Sequence, residues 1–254
     1  MTEQSELFDL RSTRFALGFV CHGMVNPISV ASFMVSFRDL TLSGITIDLV
    51  PQIGSSIIDF ARNDTVHTFL KTPAQKLIFI DTDMEWVPEE LGRLMCWSTK
   101  YPIVAALYPT KTDINPQFKS LYSYHNDLIM ENDYGLVKME GISTGFSIID
   151  RSVFEQMAPK TETYLAGSPK QETYRFFKTD VVDKQAIGED IYFFSRWVKE
   201  FGGEVWVDPD INPGHVGSKV YKGNLREALV KYNEKVIKSQ HNIEVINKAA
   251  RAAN

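Results

Sequence analysis

The stretch KLIFIDTDMEWVPEEL, residues 76–91, decides the reading of this chain. Four consecutive apolar residues, Leu77 to Ile80, run straight into two carboxylates, Asp81 and Asp83, and Trp86 and Pro88 then open a helix-like segment. A short apolar run with no polar face reads as a strand buried on both sides, as in a parallel sheet covered by helices. Two like charges one residue apart at its end repel and are costly to desolvate, so something positive is expected beside them. Ligands of open parallel sheets bind beyond the carboxyl ends of the strands. Alternate residues of an extended segment point the same way, so Asp81 and Asp83 are expected to converge on one divalent cation. Mg²⁺ and Mn²⁺ suit such a site, since both take oxygen ligands, often a carboxylate or two plus substrate phosphates.

Outward from this strand the chain alternates. FALGFVC (15–21) reads as a buried strand, Asn26-Pro27 as a capped helix start, and ITIDLVP (45–51) as a second strand. SSIIDFARNDTVHTFLK (55–71) has apolar residues near helical spacing; PEELGRLMCWSTK (88–100) reads as a helix with acids in its first turn, and PIVAALYP (102–109) as a fourth strand. This is the βαβα rhythm of a parallel sheet with crossover helices. The rhythm then changes. Residues 110–140, with Tyr122, Tyr124 and a turn at ENDYG, read as shorter β segments; GFSIIDRSVFEQM (145–157) is a strand passing into a short helix. Residues 158–187 lack periodicity and read as a long loop, with Pro159 to Lys184 a mobile flap over the site. A helix (EDIYFFSRWVKEFG), a strand (EVWVDP), the polar turn DINPGHVGS and a final amphipathic helix from about Asn224 complete the chain.

The composition bounds the rest. With 254 residues, 44% hydrophobic and 23% charged, the chain suits one large α/β domain or two small ones. Its apolar runs are short and broken by charge, so no transmembrane segment is expected. The opening MTEQSELFDLRSTR has no basic-then-apolar leader pattern, and Cys21 and Cys96 read as free thiols of a reducing compartment. A cytoplasmic protein is expected. The net charge of −5 argues against general nucleic-acid affinity, but from Lys219 onward eight Lys or Arg face three Glu, a +5 tail that leaves −10 for residues 1–218. The tail reads either as a solvated helix face or as a contact for an anionic acceptor or surface.

An Asp-x-Asp triplet alone is weak evidence, since about one arises by chance in a chain of this length. A second, Asp208-Pro209-Asp210, reads as a turn. The company of the first gives it weight. FARND (60–64), LIFIDTDMEW (77–86), ALYPTK (106–111), GISTGFSIIDRSVFEQM (141–157) and GEDIYFFSRWVKEFGGEVWVDPDINPGHVG (188–217) occur in an order that resembles the GT-A-fold glycosyltransferases, family-2-like and nearest to phage and archaeal members. The resemblance covers most of residues 15–218. It implies a single GT-A, Rossmann-like α/β domain over residues 1–218, with a mostly parallel central sheet, flanking helices and a small β extension. A basic helical extension would follow over residues 219–254.

The resemblance also implies a metal-dependent enzyme (Mn²⁺ or Mg²⁺) that uses a nucleotide-diphosphate sugar, UDP- or GDP-linked, and an acceptor hydroxyl on a glycan, protein, lipid-linked sugar or modified nucleic acid. Asp83 and His215 would ligate the metal; Asp81 would do so through water or hold the ribose. Arg62, Asn63 and Lys111 would approach the donor diphosphate, and Ser143, Thr144 and Gly145 would form a small-residue floor under the sugar. Asp190 would be the general base of an inverting transfer, with Glu189 beside it at the acceptor, and Trp86 would stack on the acceptor sugar. Each has a plainer reading: Asp190 as a helix-start acid, His215 as a loop histidine, Arg62 and Asn63 as helix surface, Ser143 to Gly145 as a turn, Trp86 as packing. The first loop, GFVCHGMVNPIS, lacks an acidic nucleobase contact, for which Asp48 is a substitute.

Three rivals are weighed. A retaining transferase shares the Arg-Asn and Asp-x-Asp pattern. A non-catalytic relative would bind sugar nucleotide or glycan only. A haloacid-dehalogenase-type phosphatase would want Thr or Val where Glu85 stands.

Overall fold

The computed structural model describes residues 10–113, 118, 127–182 and 184–252, with side chains through residue 240. Its elements, in chain order, begin with β1 (Phe15–Cys21), α1 (Pro27–Leu42), β2 (Ile47–Ile53), α2 (Ile58–Leu70), β3 (Lys76–Asp81), β4 (Met84–Glu85), α3 (Pro88–Ser98) and β5 (Ile103–Ala105). There follow β6 (Val137–Lys138), β7 (Phe146–Asp150), α4 (Arg151–Met157), β8 (Thr163–Ala166), β9 (Gln171–Tyr174), β10 (Asp180–Val182) and β11 (Gln185–Ile187). The last are α5 (Glu189–Phe201), β12 (Trp206–Val207), β13 (Gly214–Val216), β14 (Val220–Tyr221) and α6 (Leu225–Ala252).

One seven-stranded sheet in the order β2-β1-β3-β7-β5-β12-β6 carries the fold. Strict alternation fills both of its faces. Leu77 and Phe79 of β3, Ile103 and Ala105 of β5, and Ile149 of β7 join one core with Val66, Phe69, Phe154, Phe193 and Leu229. Ile78, Ile80, Val104, Phe146 and Ile148 join the other, with Trp86, Leu91 and Met95. This is the doubly covered α/β architecture expected, mixed rather than purely parallel. β1, β2, β3, β5 and β12 run one way, and β7 and β6 run against them. The reversal of β7 matters for the site. It places the start of β7 against the end of β3, where Asp81 N donates to Gly145 O at 3.0 Å.

The loop expected over 158–187 contains two β-hairpins, β8-β9 and β10-β11. Their strands are mostly solvated on both faces, so they leave no alternating apolar signature in the sequence. Phe176 and Phe177, expected in a flap, are buried core residues and anchor the segment. The ENDYG turn forms as expected, with Asn132 Oδ1 accepting from Tyr134 N and Leu136 N. Tyr122 and Tyr124 lie outside the described residues.

Asn26 caps α1 by accepting from Ile28 N at 2.9 Å. The helix turns Ser29, Ser32 and Ser36 inward, and Trp86 Nε1 donates to Ser36 Oγ at 2.9 Å. At the other end of the chain, β14 pairs with β13, and Leu225, Leu229 and Val236 are buried, so residue 218 is not a break in packing. The tail's Lys219, Lys222 and Arg226 form ion pairs with Asp113, with Glu85, and with Glu131 and Asp210 respectively. Both cysteines are free thiols, Cys21 buried and Cys96 half-buried. Among the described residues no helix is long and apolar enough to cross a membrane.

Candidate active site

The end of β3, the start of β7, the loop after β5, the start of α5 and β13 meet at one end of the sheet's central strands. The two acids of the opening stretch separate there. β3 ends at Asp81, and Thr82 and Asp83 form a turn, which breaks the alternation that would have aimed both carboxylates at one point. Each acid has its own cation. Arg62 Nη2 reaches both oxygens of Asp81, at 3.1 and 3.3 Å. Lys111 Nζ lies 2.5 Å from Asp83 Oδ2, and His215 Nε2 lies 3.4 Å from the same oxygen. Both Asp81 oxygens thus accept from Arg62, while Asp83 meets Lys111 and His215.

Arg62 is buried within α2, which is unusual for a charge unless it is paired. Its Nε donates to Glu189 Oε1 at 3.1 Å, so one guanidinium ties the start of α5 to the end of β3. Glu189, expected at the acceptor, is thus engaged inside the site. Burial alone would lower the Arg62 pKa, but the carboxylates of Asp81 and Glu189 more than offset this and raise it, so the residue stays a cation. Arg62 Nη1 has no partner, and neither do Thr110 Oγ1 and Thr144 Oγ1. A buried polar atom without a partner is costly, and three at one end of the sheet mark a place where a polar ligand would complete the structure.

Asp190 is the second residue of α5. Its Oδ1 accepts from Ile191 N at 2.7 Å. Burial, and next the charge of Glu189, push its pKa up to about 6. A carboxylate ionised just below neutral pH is suited to accept a proton. Tyr108, unremarked in the sequence beyond its place in ALYPTK, belongs here as well. Burial, followed by the charge of Asp81, pushes its hydroxyl well above the usual phenol range. Gly145 forms the floor, as a Cβ there would overlap the Asp81 carboxylate and the Tyr108 hydroxyl. Ser143, Tyr108, Thr110 and His215 line a cleft of about 210 Å³ beside it.

His215 is oriented by the backbone of the loop after β5. Nδ1 lies 2.9 Å from Pro109 O, and since a carbonyl only accepts, Nδ1 carries the proton. In the neutral ring Nε2 then directs a lone pair at Asp83 Oδ2. Two electron-pair donors facing each other call for a cation between them, and this tautomer fixing is how metal-binding histidines are held. Asp83 is itself kept ionised: burial would raise its pKa, but a hydrogen bond from the His215 ring when Nε2 is protonated, and the Lys111 ammonium, bring it down to about 2. Among the described residues no three His, Cys, Asp or Glu side chains gather to hold a metal. The pair Asp83 and His215 fits instead a hard cation that takes two protein ligands and completes its shell with water and phosphate oxygens.

Three expected contacts are corrected. Asn63 is fully buried, and its amide clamps the backbone of Phe177 with two 2.8 Å hydrogen bonds, which leaves nothing for a donor. Trp86 is buried edge-on between Phe33 and Phe146, so its ring has no open face for a sugar. Asp48 is held by Arg14 through both oxygens, at 2.8 and 2.6 Å, rather than offered to a nucleobase. The turn reading of Asp208-Pro209-Asp210 stands. Asp208 is buried and accepts from Arg93 and Trp97, and its Oδ1 also accepts from Asp210 N. A larger groove of about 340 Å³ lies between α1 and the β1-β2 edge, but its lining is wholly apolar and offers no reacting group.

No protein-family model matches the sequence, and no curated protein matches it. Among solved structures, the chain is similar to GalNAc-T7 bound to UDP, GalNAc and Mn²⁺, with a TM-score of 0.43 and 11% identity over 81% of this chain. The match spans 44% of that longer protein.

Proposed function

We propose that this chain is a glycosyltransferase that moves a sugar from a nucleotide-diphosphate donor to an acceptor hydroxyl, with a divalent cation and with inversion at the anomeric carbon. The observation that carries this reading is the charge arrangement at one end of the sheet. A buried arginine with an unused N–H, a carboxylate and a histidine nitrogen 3.4 Å apart, and a buried carboxylate whose pKa is raised to about 6 all surround a glycine floor.

The chain's residues divide the work. Arg62 Nη1 meets a diphosphate oxygen by a charge-assisted hydrogen bond. Gly145, Thr144 and Ser143 let the sugar approach the backbone. Asp190 takes the acceptor proton as the acceptor oxygen bonds to the anomeric carbon and the bond to the diphosphate breaks. Glu189 and Asp81 hold Arg62 in place. Asp83 and His215 would hold Mn²⁺ or Mg²⁺, which as a Lewis acid neutralises charge on the leaving diphosphate.

Thermal-shift screening against UDP- and GDP-sugars with Mn²⁺ tests the donor class, because a ligand of the folded state stabilises it by mass action. One nucleotide-sugar family should raise the melting temperature and lose that effect in EDTA. No shift with any nucleotide sugar sinks the proposal.

A further inference from the structure

The Asp83 oxygen that faces His215 already has a positive charge against it, the Lys111 ammonium. Lys111 Nζ is 2.5 Å from Asp83 Oδ2, the same oxygen that His215 Nε2 faces at 3.4 Å. The placement is built rather than casual. Lys111 follows the loop in which Pro109 O holds the histidine ring. Its stem runs along Gly217, where a Cβ would stand 3.1 Å from Lys111 Cδ. Neighbouring charges fasten the same surfaces: Asp113 of the loop pairs with Lys219 beside β14, and Glu85 of β4 pairs with Lys222.

We infer that Lys111 is an internal cation that holds, in the free protein, the Asp83 oxygen a divalent ion would take, and that it must release that oxygen when the ion binds. This rests on the proposed reading of Asp83 and His215 as ion ligands. The chemistry follows from charge. An ammonium and a divalent cation cannot share one carboxylate oxygen, since like charges at contact distance repel strongly. The ion therefore binds the free protein against the cost of displacing Lys111. That cost falls when a new anion is at hand. The diphosphate of an incoming nucleotide is such an anion, and a lysine is a point charge on a flexible four-carbon stem able to follow it. Ion and nucleotide consequently bind with positive coupling, each improving the affinity of the other by the same factor. The device keeps the site from loading with metal before the nucleotide arrives.

Direct Mn²⁺ binding, read from the loss of the free-ion paramagnetic resonance signal, tests this without any turnover. Lys111→Met keeps the stem and removes the charge; Lys111→Gln is a second variant of the same design, and a thermal melt of each checks the fold. In the absence of nucleotide both variants should bind Mn²⁺ more tightly than the wild type, by about 5- to 150-fold, the usual span of coupling between sites. Adding UDP or, separately, GDP should tighten Mn²⁺ binding strongly in the wild type and much less in the variants. Asp83→Asn on the Lys111→Met background should erase the gain. Unchanged or weaker Mn²⁺ binding in the Lys111 variants, a gain that survives Asp83→Asn, or no Mn²⁺ binding by any of these proteins overturns the inference. If the Lys111 variants tighten Mn²⁺ binding but neither nucleotide changes it in any protein, Lys111 is still the competing cation and the nucleotide-donor reading falls instead.

Discussion

At the end of the sheet where β3 begins and β7 finishes, Arg151 donates hydrogen bonds to the carbonyls of Phe69, Leu70, Thr72 and Ala74, at 2.7–3.2 Å, and lies over the Phe69 ring. It caps the C-terminal end of α2, whose last carbonyls have no helical partner. Nearby, Lys76 and Asp150 pair at 2.6 Å. At the opposite end Arg62, on the same helix α2, is more deeply buried, pairs with two acids and still leaves Nη1 unsatisfied. The two arginines show how a structural charge differs from one kept for a ligand. Arg151 uses its N–H groups on backbone that is always present. Arg62 is held by carboxylates that fix its position, with one donor left over. The acids differ as well: Asp150 is balanced by Lys76, whereas Asp81, Glu189 and Asp190 crowd around a single guanidinium.

The largest expected effect breaks the comparison at its most crowded point. Asp190→Asn keeps the shape and removes the basicity, so kcat should fall by about 10²- to 10⁴-fold, the usual worth of a general base. Donor affinity should change little, and NMR of the product should show the anomer opposite to the donor's. Normal turnover, or retention of configuration, would make Asp190 a plain helix-start acid.

Next in size is a matched pair of substitutions. Arg151→Met should lower unfolding stability by about 2–4 kcal/mol through lost charge-assisted bonds, and leave donor affinity intact. Arg62→Met should weaken nucleoside-diphosphate binding by about 1.5–3 kcal/mol. Denaturant melts and calorimetry on the two variants separate the roles. Equal affinities with Arg62 and without it would make that arginine structural too.

The smallest effect is in the pH dependence of stability. Asp190 titrates at about 6 in the fold, against roughly 4 in an unfolded chain. Between those values the folded state binds more protons, so the Asp190 contribution falls as pH rises and is least favourable above about 6. Asp190→Asn should therefore match the wild type near pH 4 and exceed it at pH 7.5 by about 2 kcal/mol. Parallel stability curves over that range would mean that Asp190 is not raised.

Much of this was legible in the sequence because it rests on local pattern. The run Leu77 to Ile80 announces a strand covered on both faces, and the Asp81-Asp83 repulsion correctly calls for nearby cations. The identity of those cations was less accessible, since Arg62, Lys111 and His215 come from three distant segments. Strand direction was missed at β7 because apolar alternation reads the same in either sense. Asn63 and Trp86 were misplaced for a related reason. Amide and indole groups serve ligands and buried backbone equally well, and only packing reveals that Phe177 and Ser36 had claimed them. Tyr108 carries no motif of its own. Its role comes from sharing space over Gly145 with Asp81.

The central claim is that the end of the sheet holding Asp83 and His215 binds a nucleotide-diphosphate sugar together with a divalent cation. Isothermal calorimetry of the wild type and of Asp83→Ala, titrated with the nucleotide sugar selected by thermal shift, in Mn²⁺ and again in EDTA, tests it most directly. The account predicts binding by the wild type in Mn²⁺ that is lost in EDTA and lost in a folded Asp83→Ala protein. Donor affinity that is unchanged by EDTA and by Asp83→Ala would contradict it.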